Sequence, residues 1–305
     1  MDNNTTYTVV VPGTSANCGP GFDCLGLALT IYNTFTFEIN ESKCHSFSFE
    51  GIGADLLEKE DQNKNLVIYS MQEVFREAGK KLPYGHLHSD TRIPPSRGLG
   101  SSATAIVGGI VLANAILKNY FTKEELLAIA NRIEGHPDNV CPAIFGHLCG
   151  SLPVEDKVVY SLIPVSPAMN FVAVVPEVQV STEHARGVLP KQISYKEAVE
   201  NVGFASLFVN AMATNNTDLL KYAMNDHLHV PYRINLIPGG AEALVAARDA
   251  GAFGATISGS GSTLIAYCGE CTKEVGDAMK KAFSDKGIAS AVHFLKADLS
   301  GARLI

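Results

Sequence analysis

The sequence predicts an α+β chain built as two units, the second in split-βαβ order. Three observations carry that prediction. A glycine–serine loop runs directly into the apolar stretch Ser101–Leu117, which reads as a helix buried on nearly every side. From Phe171 to Leu295 the elements collapse to β–α–β–β–α–β when consecutive helices count as one layer. Between the two patterns, Pro153, Pro164 and Pro167 interrupt the run, so the boundary is expected within Ser151–Pro167.

In chain order, Tyr7–Pro12 alternates like the start of a strand, and Leu27–Ile39, rich in Leu, Ile, Thr and Phe, predicts a long one. Leu66–Ala78 carries apolar residues near helical spacing and is closed by Gly79. His86–Ile93 predicts a strand that ends at Pro94 and Pro95. Thr122-x-x-Glu125 is a capping box opening a helix to about Ile133. In the second half, Phe171–Val175 predicts a strand, and Ser194-x-x-Glu197 caps a helix through about Met212. Helices follow near Asp218–Met224 and Gly240–Ala250. Strand Ala255–Ser258, a glycine turn, strand Thr263–Tyr267, helix Thr272–Phe283 and strand Ala289–Leu295 complete the order.

Bulk properties exclude several classes. The 305 residues allow one large or two ordinary domains, because single cores seldom exceed ~250–300 residues. A net charge of −7 without a basic block gives no support for nucleic-acid or anionic-membrane partners. The opening MDNNTTYTVVVP shows no signal peptide, and Ala103–Leu117 is too short to span a bilayer. The seven cysteines are odd in number, and Cys268-x-x-Cys271 lacks a second pair at zinc spacing, so reduced cytosolic thiols are the simpler reading.

Four segments carry candidate chemistry. In Pro94-Pro-Ser-Arg-Gly-Leu-Gly-Ser-Ser-Ala103, Gly98 and Gly100 let backbone N–H groups converge, and the helix start adds unpaired donors and partial positive charge. Ser101 and Ser102 add hydroxyls, which makes a phosphate cradle; a plain serine-capped helix is the other reading. The span also fits G-x-G-x-x-A, but no strand-end acid follows about 20 residues on, since Glu124 falls in the next helix. Walker and protein-kinase patterns are absent. Pro12–Gly26 is either a tight connection or a rigid loop presenting Asn17 and Asp23. Glu134–Ala143 gathers two acids, an imidazole and an amide, with hard oxygens suited to Mg²⁺; Asp138 reads as a cap of a short helix closed by Gly146. Gly254–Leu264 is a glycine hairpin, either a simple turn or a ligand-facing one.

Taken together, the segments around Asn17, Gly100 and Gly259 resemble the three signature motifs of the GHMP kinase superfamily. P-x-x-x-G-L-G-S-S-A at 94–103 is similar to its phosphate loop, while T-S-A-N-x-G-P-G-F-D at 14–23 and E-G-H-P-D-N-V-x-P-A at 134–143 resemble the homoserine kinase branch. The resemblance spans essentially the whole chain. Departures are small: Gly13 and Cys18 replace the usual Ala and Leu, and His147 a second Gly.

That resemblance implies a two-domain GHMP kinase fold. Residues 1–160 would form an ATP-binding unit of the ribosomal-protein-S5-domain-2-like α+β kind, and 161–305 a ferredoxin-like domain. It further implies a cytoplasmic, ATP-dependent phosphotransferase with an alcohol acceptor. The reaction would be transfer of the γ-phosphoryl group to the hydroxyl of L-homoserine on the route to threonine. Pro94, Pro95, Ser96, Arg97, Gly98, Leu99, Gly100, Ser101 and Ser102 would wrap the triphosphate, Ser102 and Glu134 hold Mg²⁺, and Asn65 help to form the adenine pocket. Asp23 would take the substrate ammonium, and Arg186 and Arg233 its carboxylate. Asn17, His136, Asn139, Thr182 and Gly259 would complete the pocket, with Asn139 nearest the reacting hydroxyl. Ser102, Glu134 and Asn139 would thus form the catalytic set, with no residue assigned as general base. The resemblance leaves a homodimer open. Two other readings stay beside it: a GHMP kinase for another alcohol, such as mevalonate, and a non-catalytic binding member of the fold.

Overall fold

The computed structural model describes residues 5–305; Met1–Asn4, the start of the segment read as lacking a signal peptide, lie outside the described residues. The first half opens with strands β1 (Thr6–Ala16), β2 (Leu25–Ile39) and β3 (Ser46–Gly51). Helices α1 (Ala54–Leu57) and α2 (Leu66–Glu77), strand β4 (Gly85–Thr91) and helices α3 (Ser101–Ile116), α4 (Lys123–Glu134) and α5 (Pro137–Phe145) follow. A hairpin of β5 (Leu148–Val154) and β6 (Lys157–Ile163) closes this half. The second half contains β7 (Asn170–Pro176), α6 (Thr182–Gly187), α7 (Tyr195–Thr214), α8 (Leu220–Ala223), α9 (Val230–Arg233) and α10 (Gly240–Asp249). Strands β8 (Gly254–Ile257) and β9 (Leu264–Cys268), helix α11 (Thr272–Ser284), β10 (Ser290–Leu295) and β11 (Arg303–Leu304) end the chain.

The first sheet runs β11-β1-β2-β4-β3, with β5 joined to β2 and β6 to β5. The second runs β10-β7-β9-β8, every neighbouring pair antiparallel. Numbered within the second unit, that is 4-1-3-2, the strand order expected of a split βαβ repeat.

Why these elements form where they do is largely local. Both capping boxes are present: Thr122 with Glu125 opens α4, and Ser194 with Glu197 opens α7. Helix α3 is buried along most of its length and packs on β1, β2 and α2. Its close approach to α2 depends on Gly109, where an added Cβ would stand 2.4 Å from the Val67 carbonyl oxygen. Gly109, and Gly108, where an added Cβ would lie 2.5 Å from the Phe35 ring, are therefore packing residues. No helix among the described residues is long and apolar enough to cross a membrane.

Ser151–Pro167, read as the link between units, holds most of the β5–β6 hairpin, and the crossing to the second sheet comes at its end, after Ile163, where Pro164 and Pro167 lie. Of the three prolines only Pro153 falls within a strand, and there β5 pairs with β2 only through Leu148–Gly150. At Pro153 one side of the strand has no neighbour, so a missing N–H costs little. β3 also escaped the pattern, being a short, half-exposed edge strand whose only partner among the described residues is β4.

Three apolar clusters account for the packing. One lies between the first sheet and α2–α5. A second joins the sheets, with Leu27, Leu29 and Leu148 facing Phe171, Ile265 and Tyr267 and Phe208 of α7 filling between. The third covers the far face of the second sheet with α10 and α11. Burying this much apolar surface between the sheets brings the loops at their common edge into register with one another.

Candidate active site

At that edge three loops interlock. The Thr14 N–H donates to the Leu99 carbonyl (3.1 Å), the Gly259 N–H to the Ala16 carbonyl (3.1 Å), and the Thr263 N–H to the Arg97 carbonyl (3.0 Å). Ser258 Oγ contacts both Ser15 Oγ (2.9 Å) and the Gly98 carbonyl (2.6 Å). Thus the segments 12–24, 94–102 and 254–263, far apart in the chain, form one frame.

The frame encloses a cavity of about 490 Å³. Of the residues singled out from the sequence, Asn17, Asp23, Asn65, Glu134, His136, Asn139, Thr182, Arg186, Arg233 and Gly259 all line it. So do Pro95, Ser96, Arg97, Gly98, Gly100, Ser101 and Ser102. Pro94 and Leu99 do not; the Leu99 side chain is fully buried in the core between the sheets, with Ile93 and Ile31.

The phosphate-like end is the loop before α3. Ser96, Gly98 and Gly100 have φ of 55°, 80° and 70°, which turns successive N–H groups inward as an anion nest. Gly98 is required twice over, since its φ is left-handed and an added Cβ would lie 2.2 Å from the Ser258 carbonyl oxygen. Gly100 is the N-cap of α3 and carries no side-chain cap, so the first-turn N–H groups stay available to a ligand.

Beside this end, Ser102 Oγ donates to Glu134 Oε2 at 3.3 Å. Burial raises the Glu134 carboxyl above its ordinary value, against the opposing influence of His136 and the Ser102 hydroxyl. A carboxylate kept out of water beside a second hard oxygen is a donor set that fits Mg²⁺.

The other end is charged and polar. Asp23, at φ 57°, accepts two hydrogen bonds from Arg186, Nη1 to Oδ2 at 3.0 Å and Nη2 to Oδ1 at 2.8 Å. The hydrogen bond to Asp23 raises Arg186 further above its already high value. Arg233 differs: it is 3% exposed, donates to the Ala185 and Gly259 carbonyls, and has no carboxylate partner among the described residues. Burial, then the Arg186 charge, lowers it to about 10. A buried guanidinium with no carboxylate bonded to it is a site for a ligand carboxylate.

Phe22, which drew no attention in the sequence, supports both cations. The Arg186 and Arg233 guanidinium carbons lie 5.5 and 5.0 Å from its ring centroid, and His229 stacks on it with centroids 5.3 Å apart. Asn17 proves to be a brace as well as a liner. Its Nδ2 donates to the Gly259 carbonyl and its Oδ1 accepts the Asp23 N–H, pinning the loop to the hairpin.

Asp138 does not cap the short helix. The N-cap of α5 is His136, and Asp138, 1% exposed, instead bonds His136 Nδ1 at 2.5 Å. Burial opposes charge on His136, but Asp138, Glu134 and Asp23 together raise it above its ordinary value. Asn139 Oδ1 accepts the Thr14 hydroxyl at 2.7 Å, so its amide N–H groups are the part left for a ligand.

Asn65 sits at the far end, where its carboxamide oxygen caps α2 through the Val67 and Ile68 N–H groups and its nitrogen donates to Gln62. Here the wall is Phe35, Phe49, Leu57, Leu66 and Ala105, an apolar slot for a flat ring that no sequence pattern indicated. Phe49 comes from the unforeseen edge strand β3, and Leu57 from α1.

Residues 65–147 match the model of the GHMP kinases N terminal domain, and 207–291 that of the GHMP kinases C terminal. The chain is 40% identical over 301 residues to a homoserine kinase of Desulfitobacterium hafniense, covering 97% of this chain and 99% of that one. It is 41% identical over 294 residues to one of Carboxydothermus hydrogenoformans, covering 96% and 95%. The crystal structure of homoserine kinase from Cytophaga hutchinsonii is similar at a TM-score of 0.90 and 31% identity, covering 98% of this chain and 97% of that one. Likeness in fold extends to the L. major mevalonate kinase at a TM-score of 0.72 and 18% identity, covering 98% of both chains.

Proposed function

We propose, from the premise that this chain belongs to the homoserine kinase family of the ATP-dependent GHMP kinases, that it phosphorylates the side-chain hydroxyl of L-homoserine. The product is O-phospho-L-homoserine. One observation carries the reading: a single cavity is lined at one end by an anion nest and at the other by Asp23, Arg186 and an Arg233 with no bonded carboxylate among the described residues. That pairing suits a triphosphate and a zwitterion side by side.

The roles follow from the chemistry of each wall. The apolar slot takes the adenine, with Asn65 positioning the start of α2 beside it. Backbone N–H groups of 98–102 hold the phosphates, helped by the positive end of α3. Ser102 and Glu134 would hold Mg²⁺, which would neutralise the phosphate oxygens during transfer. Arg233 and Arg186 take the substrate carboxylate and Asp23 its ammonium, while His136 and Thr182 close the pocket. Asn139, held through its carbonyl by Thr14, turns its amide toward the reacting hydroxyl. A loose phosphoryl-transfer transition state draws mainly on such alignment and needs no strong base.

In this reading residues 1–160 carry the nucleotide end, and 161–305 add Thr182, Arg186, Arg233 and Gly259. We assign the reaction to the cytoplasm, a reading supported by seven unpaired thiols. The test is ADP release with a panel of alcohols, with phosphorus NMR of the product. We expect turnover with L-homoserine. Turnover with mevalonate in its place would overturn the substrate, and thermal stabilisation by Mg·ATP and homoserine without ADP would make the protein a sensor.

A further inference from the structure

We infer that the Asp23–Arg186 ion pair is a zwitterion filter, which selects substrates bearing both an ammonium and a carboxylate by making singly charged alcohols break a salt bridge without replacing it. The inference rests on the substrate reading above and deepens it.

The geometry sets this pair apart from the rest of the site. It joins the loop after β1 to α6, two elements 163 residues apart, through a two-pronged contact. Both side chains line the cavity and are partly exposed, Arg186 by 39% and Asp23 by 35%. They are therefore within a ligand's reach while occupied with each other. Arg233, on the same Phe22 ring, has its hydrogen bonds among the described residues only to two carbonyl oxygens.

An amino acid entering this end exchanges one ion pair for two. Its carboxylate takes the Arg186 fork, its ammonium takes Asp23, and no charge is left alone. A ligand with only a carboxylate gains a guanidinium fork only by pulling Arg186 away and stranding Asp23, beside Asp138 and His136, because Arg233 has its Nε and Nη1 committed to carbonyls. One with only an ammonium strands Arg186, next to the Arg233 charge. Rejection of such alcohols thus comes from the broken pair as well as from the missing contact, a repulsive element in specificity.

The consequence is a gain of activity on removing a binding residue. Asp23→Asn keeps the backbone, because asparagine tolerates the left-handed φ of 57° at this position. It frees Arg186, so kcat/KM for 4-hydroxybutanoate should rise by about threefold or more while that for L-homoserine falls by at least about tenfold. Arg186→Gln should do the same for 3-aminopropan-1-ol. KM for ATP, measured alongside, should stay within about twofold in both variants.

Loss of activity in both variants on all three alcohols alike, with ATP binding intact, would overturn the filter. Should either variant lose ATP binding, Arg186→Lys, which keeps the charge but not the fork, decides the matter. A rise for 3-aminopropan-1-ol smaller than full release supports the filter, and no rise overturns it. A wild-type enzyme that ignores homoserine would instead overturn the substrate reading, so the two failures are distinguishable.

Discussion

Glu134 shows how a single side chain trades stability for chemistry. Burial holds its carboxyl above the ordinary value of 4.5, so the folded state favours the protonated form. In the unfolded chain the group ionises earlier as pH rises, and folded stability is therefore lost from about pH 4.5 upward through the folded value. Glu134→Gln removes that cost. It should raise Tm at pH 7 by about 1–3 °C, with the gain vanishing near pH 4, while kcat falls by ~100-fold or more. Calorimetry at both pH values with steady-state kinetics over a Mg²⁺ series checks it. An unchanged Tm together with a normal Mg²⁺ response would remove Glu134 from the metal site. Asp23 carries a related lesson. Its φ of 57° means that Asp23→Ala, expected to raise KM for homoserine, also strains the loop, so only the asparagine variant isolates the charge.

Among the elements, the loop before α3 and the helix α7 use glycine in opposite ways. At Gly98 the left-handed φ and the Ser258 carbonyl leave no room for a methyl group. Gly98→Ala should cost about 2–4 kcal/mol in urea unfolding and abolish measurable ATP binding, because the clash pushes the hairpin 258–262 off the nest. Gly203 lies in the interior of α7 with nothing within 4 Å of an added Cβ. Gly203→Ala should therefore stabilise by about 0.5–1 kcal/mol and leave kcat/KM unaltered, since only backbone entropy changes. Equal effects from the two substitutions would mean that the nest is not held by packing. Elsewhere the caps were readable at once: Thr122 with Glu125 and Ser194 with Glu197 sit three residues apart, within the reach of one helical turn. The β5–β6 hairpin was not, because Pro153 is tolerated only through a missing neighbour strand that no local pattern reports.

For the molecule as a whole, the last nine residues bind the second sheet back to the first. After β10 the chain bridges at Ala297 to Leu29, and β11 then pairs with β1. Asp298 is the knot. It is 5% exposed, and its carboxylate accepts from the Tyr32 hydroxyl and from the Ser300 and Gly301 N–H groups, with Arg303 at 3.4 Å. Its backbone carbonyl also accepts the His147 N–H. Asp298→Ala leaves those donors unanswered in a buried place and should cost about 2–4 kcal/mol. Because the knot lies outside the cavity, kcat/KM of the folded fraction should stay within about twofold. Denaturant unfolding followed with activity at low temperature checks both parts, and a loss below about 0.5 kcal/mol would show that the tail contributes little to joining the sheets.

Local signals alone determined the two-unit α+β order, the nest at Gly98–Ser102 and the capped helices. Each of those is written within a window of roughly ten residues, where spacing, caps and glycine conformations act directly on the backbone. Only the tertiary structure decided that Asp23 meets Arg186, that Asp138 serves His136 rather than a helix end, that Phe22 carries two guanidinium groups, and that β3 and α1 supply part of the slot. Those contacts join residues that the packing of two sheets brings together, and a chain read along its length carries no record of which distant side chains will share a wall.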